Sequence, residues 1–324
     1  MKKILLSLLS IGAVAGVAVL ATGAFFSDTE TSTGNLLQAG AIDLLVDNSC
    51  YYNGDACTEV FRGDNPPVSL GSYWGGVVEE GNQCSCTWES TNLSEEHLFF
   101  DLVDIKPGDW EEDTISLTVK SNEAWLCADV HLTSDDDVDC TEPESETGLA
   151  DPECSLPTPA PGAGELADRV NFLWWADDGD NVLENCLDRE GQPIPDCVPE
   201  RTLPAGPLGA LNVSQTANVV LADSGFNIWG LQGPIPQGGD TWYIGKGWCF
   251  GKLTETPVPQ DGDGATGNNG PDSARGGGFS CDGSGEGNET QTDKLTADIS
   301  FYAEQARNNE TFLCSERARP PLPQ

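Results

Sequence analysis

The stretch Trp175-Ala176-Asp177-Asp178-Gly179-Asp180-Asn181, closing at Glu184, sets a dense group of oxygen donors directly after an apolar run. Carboxylates on a sharp glycine-containing turn can converge on a hard cation that takes about six to eight oxygen ligands, and calcium suits such a set. The candidate ligands are Asp177, Asp178, Asp180, Asn181 and Glu184. The spacing departs from the Asp-x-Asp-x-Asp-Gly order of an EF-hand loop, so a plain acidic β turn is the alternative. Asp135-Asp136-Asp137 with Asp139 forms a second, looser group. Asp261-Gly262-Asp263-Gly264 reads more readily as flexible linker.

Catalysis finds less support. His97 and His131 are the only histidines, and no His-Glu-x-x-His pair exists to hold a protease zinc. No Gly-x-Ser-x-Gly elbow marks a nucleophile. The sequence therefore predicts a non-enzymatic protein with no catalytic residues. Nine tryptophans raise a carbohydrate-binding alternative, with Trp174 and Trp175 adjacent on one apolar run, although most tryptophans in a β sandwich are core.

Twelve cysteines occur: Cys50, Cys57, Cys84, Cys86, Cys127, Cys140, Cys154, Cys186, Cys197, Cys249, Cys281 and Cys314. An even count behind an export signal reads as disulfides, and no Cys-x-x-Cys favours zinc. Spacing does not determine the pairing. Local loops such as Cys50–Cys57, Cys140–Cys154 and Cys186–Cys197 would be the least costly to close.

The export signal itself is the basic pair Lys2 and Lys3, an uncharged apolar run from Ile4 to Leu20, then small residues Ala21 to Ala24. Residues 1–24 are read as a signal peptide cut after Gly23 or Ala24, and the product as secreted, extracellular or at the cell surface. Removing Lys2 and Lys3 from the 15 basic residues leaves 13 against 53 acidic ones, a net charge of −40. Such a surface repels nucleic acid and anionic lipid and attracts divalent cations. No membrane association is expected after cleavage.

Positioning these groups falls to strands. Period-two alternation marks residues 41–47, 98–102, 114–120, 126–132 and 295–303, with weaker signals at 217–221 and 241–251. Residues 170–175 are richer in apolar residues, as a strand buried on both sides would be, and 166–172 can begin with a helical turn. Lys106-Pro107-Gly108-Asp109 is a tight turn. The prediction is an all-β fold, a jelly-roll-like antiparallel β sandwich with long, disulfide-bonded loops. A single domain spans residues 25–324, with insertions around 48–92, 133–165, 185–215 and 255–292.

Ala24-Phe25-Phe26-Ser27-Asp28-Thr29-Glu30-Thr31-Ser32-Thr33-Gly34-Asn35, followed by Gln38-Ala39-Gly40-Ala41-Ile42-Asp43-Leu44, resembles the start of the TasA/camelysin family. Asp101-Leu102-Val103-Asp104-Ile105-Lys106-Pro107-Gly108-Asp109 resembles that family's strand and turn. The likeness covers residues 1–47 and 98–132, whereas the familiar members are poor in cysteine. It implies processing by a SipW-type signal peptidase and a jelly-roll subunit of extracellular biofilm-matrix fibres. It also implies self-association into head-to-tail filaments, with Phe25, Phe26, Leu36 and Leu37 as apolar anchors of a donated N-terminal strand. A camelysin-like secreted metalloprotease and a cell-surface adhesin are the alternative functions.

Overall fold

Alternation of apolar and polar side chains divides the strands between two sheets. A computed structural model describes residues 27–31, 42–63, 66–120, 122–145, 154, 162–211, 213–262, 264–266, 270–271 and 275–316. The signal segment, Gly23, Ala24, Phe25, Phe26, Leu36 and Leu37 lie outside the described residues. The first sheet has the order β1 (Ser27–Thr31), β16 (Lys294–Gln305), β7 (Ala124–Asp136), β11 (Thr216–Ala222). The second runs β10 (Gly206–Pro207), β8 (Val170–Asp177), β12 (Thr241–Phe250), β6 (Trp110–Val119), β2 (Leu44–Tyr52), β3 (Asp55–Arg62), β4 (Val68–Trp74). β5 (Trp88–Thr91) also pairs with β2. Every pairing within these two sheets is antiparallel.

Both sheets bury one face in a common core. Ile115, Leu117 and Val119 of β6 and Ile244, Trp248 and Phe250 of β12 meet Leu126, Ala128 and Val130 of β7 and Ile299 and Phe301 of β16. Each of the larger side chains among these contributes about 1.5–3 kcal/mol by leaving water. β8 is buried on both faces, as its richness in apolar residues predicts. Phe172, Trp174 and Ala176 join the common core, while Leu173 and Trp175 form a second cluster with Leu183 on the outer side, against Phe279. Both tryptophans are buried, so neither offers a face to a sugar. Gly245 of β12 makes room for this outer cluster, because a Cβ there would collide with the Trp175 ring.

Loops carry their own small sheets. β13 (Lys252–Glu255) pairs with β15 (Phe279–Asp282), and β14 (Val258–Pro259) lies parallel to β9 (Glu184–Asn185). The expected helical turn is present at Leu166–Arg169 and leads into β8. At Lys106–Asp109 the Asp109 amide donates to the Lys106 carbonyl at 2.9 Å, with Gly108 at φ +95°. No helix among the described residues is long and apolar enough to cross a membrane.

Two expectations about the strands are corrected. Residues 98–102 form no strand. Adjacent Phe99 and Phe100 both turn inward, toward Phe301 and Phe172 respectively, which alternation in a strand forbids. Residues 48–92 are not an irregular insertion, since β2 continues to Tyr52 and the segment goes on through β3, β4 and β5. Polar residues on its exposed strands masked the pattern.

Six disulfides use all twelve cysteines: Cys50–Cys86, Cys57–Cys84, Cys127–Cys314, Cys140–Cys154, Cys186–Cys197 and Cys249–Cys281. Two of the three expected local loops are real, Cys140–Cys154 and Cys186–Cys197. Cys50–Cys57 is not, because Cys84 and Cys86, two residues apart on one segment, each reach a different strand of the β2–β3 hairpin.

Candidate metal centre

β8 ends on its outer face at Asp177, and the carboxylate there organises the turn that follows. Asp177 Oδ1 accepts from Trp175 Nε1 at 3.2 Å. Its Oδ2 accepts from Thr114 Oγ1 of β6 at 3.0 Å, from the Gly179 amide at 3.1 Å and from the Asn181 amide at 3.2 Å. Gly179 has φ +110°, and a Cβ there would lie 2.5 Å from that of Ala265, so the turn requires glycine. The chain then returns through Asp180, whose Oδ1 accepts from the Val182 amide at 3.0 Å, to Glu184 in β9.

Two distant segments complete the cluster. Glu200 accepts from the Asp178 amide at 3.1 Å and from the Glu184 amide at 2.7 Å. Asp261 follows β14, and its amide donates to Glu184 Oε1 at 3.2 Å. Carboxylate oxygens of Asp177, Asp178 and Asp180 lie within 4.8 Å of one another. The same holds for Asp178, Glu184 and Glu200, and for Asp180, Glu184 and Asp261. Six carboxylates thus share one continuous patch. Arg275 pairs with Asp180 at 2.5 Å, with Glu184, and with Asp261 at 3.2 Å. Gln260 Nε2 donates to Asp178 Oδ2 at 3.0 Å and to Glu184 Oε2 at 2.7 Å.

One guanidinium does not balance this charge. Burial, then the charge of Asp177, pushes Glu200 up to about 11. Burial and Asp180 push Glu184 up to about 8. Burial with Asp180 and Asp178 takes Asp177 to about 7, and burial takes Asp180 to about 6 against the pull of Arg275. Asp178 is raised as well, chiefly by burial. Alongside lies Glu112 of β6, fully buried, with no hydrogen bond to either carboxylate oxygen. Burial and the charges of Asp177, Asp113 and Asp180 hold it well above the usual range. A group of acids that desolvate and repel one another binds either protons or a cation.

The donor chemistry discriminates among cations. The patch is all oxygen, the set that calcium or another hard ion takes, and offers no imidazole or thiolate of the kind zinc prefers. His97 Nδ1 instead meets Ser94 Oγ at 2.8 Å, and His131 Nδ1 the Gln215 carbonyl at 3.0 Å. In the two clusters that contain cysteine, Cys50-Cys57-Cys86 and Asp137-Cys140-Cys154, every sulfur is tied up in a disulfide.

Of the predicted ligands, Asp177, Asp178, Asp180 and Glu184 come together. Asn181 gives its amide nitrogen to the Glu112 carbonyl at 3.1 Å. Asp135 and Asp136 serve as loop ties, accepting from the amides of Ala167 at 3.2 Å and Gly162 at 2.8 Å. Asp261, read from sequence as linker, belongs to the patch. Glu200, Arg275 and Glu112 carry no local signal, because only the tertiary fold brings them near.

No protein-family model, no curated protein and no solved structure matches the chain.

Proposed function

We propose that the chain is a secreted structural subunit of extracellular fibres or biofilm matrix, a relative of the TasA/camelysin proteins that assembles by exchanging its N-terminal strand. The observation that carries this reading is β1. Ser27–Thr31 lies antiparallel along the outer edge of β16, in the register Ser27↔Glu304 to Thr31↔Ser300. Residues 32–41 separate it from the next described segment. Removing β1 exposes the backbone donors and acceptors of β16, a template that the same segment of another copy can fill. Such donation is heterologous and does not close, so it propagates as a filament. Cleavage after Gly23 or Ala24 by a SipW-type peptidase would release the segment, with Phe25 and Phe26 at its free end. The six disulfides suit an oxidising exterior.

Calcium enters as a structural ion. Three segments of the outer face meet at the acidic patch: the turn after β8, the loop bearing Glu200 and the segment bearing Asp261. A cation there would pin the long loops to the sheet. The donor set favours this role over a camelysin-like protease centre, which needs an open metal position and a base.

Electron microscopy of the mature protein tests the assembly. Filaments are expected from the mature chain and none from a form lacking residues 25–35. Equal filaments from both forms would overturn strand exchange.

A further inference from the structure

Lys246 of β12 stands directly opposite Asp113 of β6, on the faces that these strands turn toward the common core. Lys246, Asp113 and Glu111 are all 0% exposed. The lysine nitrogen touches Asp113 Oδ2 and lies 3.8 Å from Glu111 Oε2. Beyond that contact, neither Nζ nor Oδ2 has a hydrogen-bond partner. Aromatic rings enclose the nitrogen, with the Phe100 centroid at 5.4 Å and the Phe172 centroid at 6.0 Å. Asp113 Oδ1 accepts from Asn48 Nδ2 at 2.7 Å, and Glu111 Oε2 accepts from Trp248 Nε1. A buried ion pair needs excellent geometry and further hydrogen bonds to offset desolvation. This one lacks them at the two atoms that touch.

We propose that Lys246 and Asp113 join in an intramolecular isopeptide bond, with Glu111 as the proton carrier. Burial raises both Glu111 and Asp113, and a proton passing from the lysine to the Asp113 oxygen it touches leaves a free amine beside an acid. The Nζ lone pair attacks Asp113 Cγ, forming the C–N bond. Charge develops on Oδ1, where the Asn48 amide already donates. Glu111, which burial favours in its protonated form, gives its proton to the Oδ2 hydroxyl, which leaves as water when the C–O bond breaks, and takes a proton back from the nitrogen. Ammonium plus carboxylate thus becomes amide plus one water, and Glu111 ends as it began. No oxidant, metal or cofactor enters. The lysine and acid are held in contact by adjacent strands, which supplies the proximity that amide formation needs. The product welds β6 to β12, two inner strands of the larger sheet, and stands apart from the fibre reading, since it forms whether or not the chain polymerises.

Peptide mass mapping of the secreted protein, denatured and reduced, tests this without a mutation. The segment containing Asp113 and the segment containing Lys246 should appear as one branched species, lighter than the two linear peptides by one water. Trypsin should fail to cut after Lys246. Linear peptides, with cleavage at Lys246, would overturn the bond. In Glu111→Gln, which keeps the size of the side chain, the branched species should fall at least tenfold while the six disulfides still form. Wild-type cross-linking in that variant would overturn the role of Glu111. In Lys246→Met the branched species should vanish, and its persistence would place the cross-link elsewhere.

Discussion

Chelation at rising pH deprives the acidic patch of cations and then of protons. Asp177 is the clearest reporter, only 6% exposed and raised from 3.8 to about 7. Its folded value lies above its unfolded one, so the native chain holds this proton more tightly. Stability is therefore unaffected below the unfolded value and is lost as the pH climbs toward the folded one. At about 1.4 kcal/mol per pH unit, Asp177 alone costs about 4 kcal/mol of stability by pH ~8. Glu184, raised to about 8, extends the loss upward. A bound cation replaces the protons and removes the penalty. Calcium at about a hundred times its dissociation constant adds about 2.7 kcal/mol, a rise of about 4 °C in Tm for a domain of this size. The assay is thermal unfolding at pH ~5 and pH ~8, in chelator, in calcium, and in sodium of matched ionic strength. The chelated protein should melt lower at the higher pH, and calcium alone should restore it. Greater stability at the higher pH in chelator, or equal responses to calcium and sodium, would refute the reasoning.

Glu200→Gln removes the most strongly raised carboxyl of the patch. Calorimetry should show a higher Tm in chelator at pH ~8 and a smaller rise on adding calcium. Replacing Cys127 and Cys314 by serine opens a link that spans 187 residues, worth about 5 kcal/mol in the chain-entropy model, whereas Cys186 and Cys197, 11 apart, are worth about 3. Denaturant titration should rank the two losses in that order. Gly245→Ala drives a methyl into the Trp175 ring and should cost up to about 3 kcal/mol by the same titration, with altered tryptophan fluorescence.

Much of the fold was legible because one face of each main strand is buried. Ile115, Leu117 and Val119 announce β6, and the double-sided burial of β8 shows in its apolar run. Residues 98–102 misled because Leu98, Phe100 and Leu102 fit period two while Phe99 breaks it, and Phe99 and Phe100 are both drawn inward by partners far along the chain. The metal patch was half visible. Asp177 to Glu184 are neighbours in sequence, but Glu200, Asp261 and Arg275 arrive by loop paths that no local pattern encodes. The Glu111-Lys246-Asp113 group was hidden for the same reason, because a charged residue at a strand's inner position looks like an ordinary polar break. Its meaning emerges only from the register of β6 and β12.

Strand exchange is tested most directly by asking whose β1 occupies the edge of β16. Thr31 and Ser300 are paired in register. Directly opposed residues of antiparallel strands have Cα atoms about 4.5–5.5 Å apart, within reach of a disulfide. Two preparations, one carrying Thr31→Cys and the other Ser300→Cys, would be mixed under assembly conditions, oxidised gently and run on a non-reducing gel. Strand exchange predicts a covalent dimer that appears with the filaments and only when both variants are present. Filaments without that dimer would contradict it.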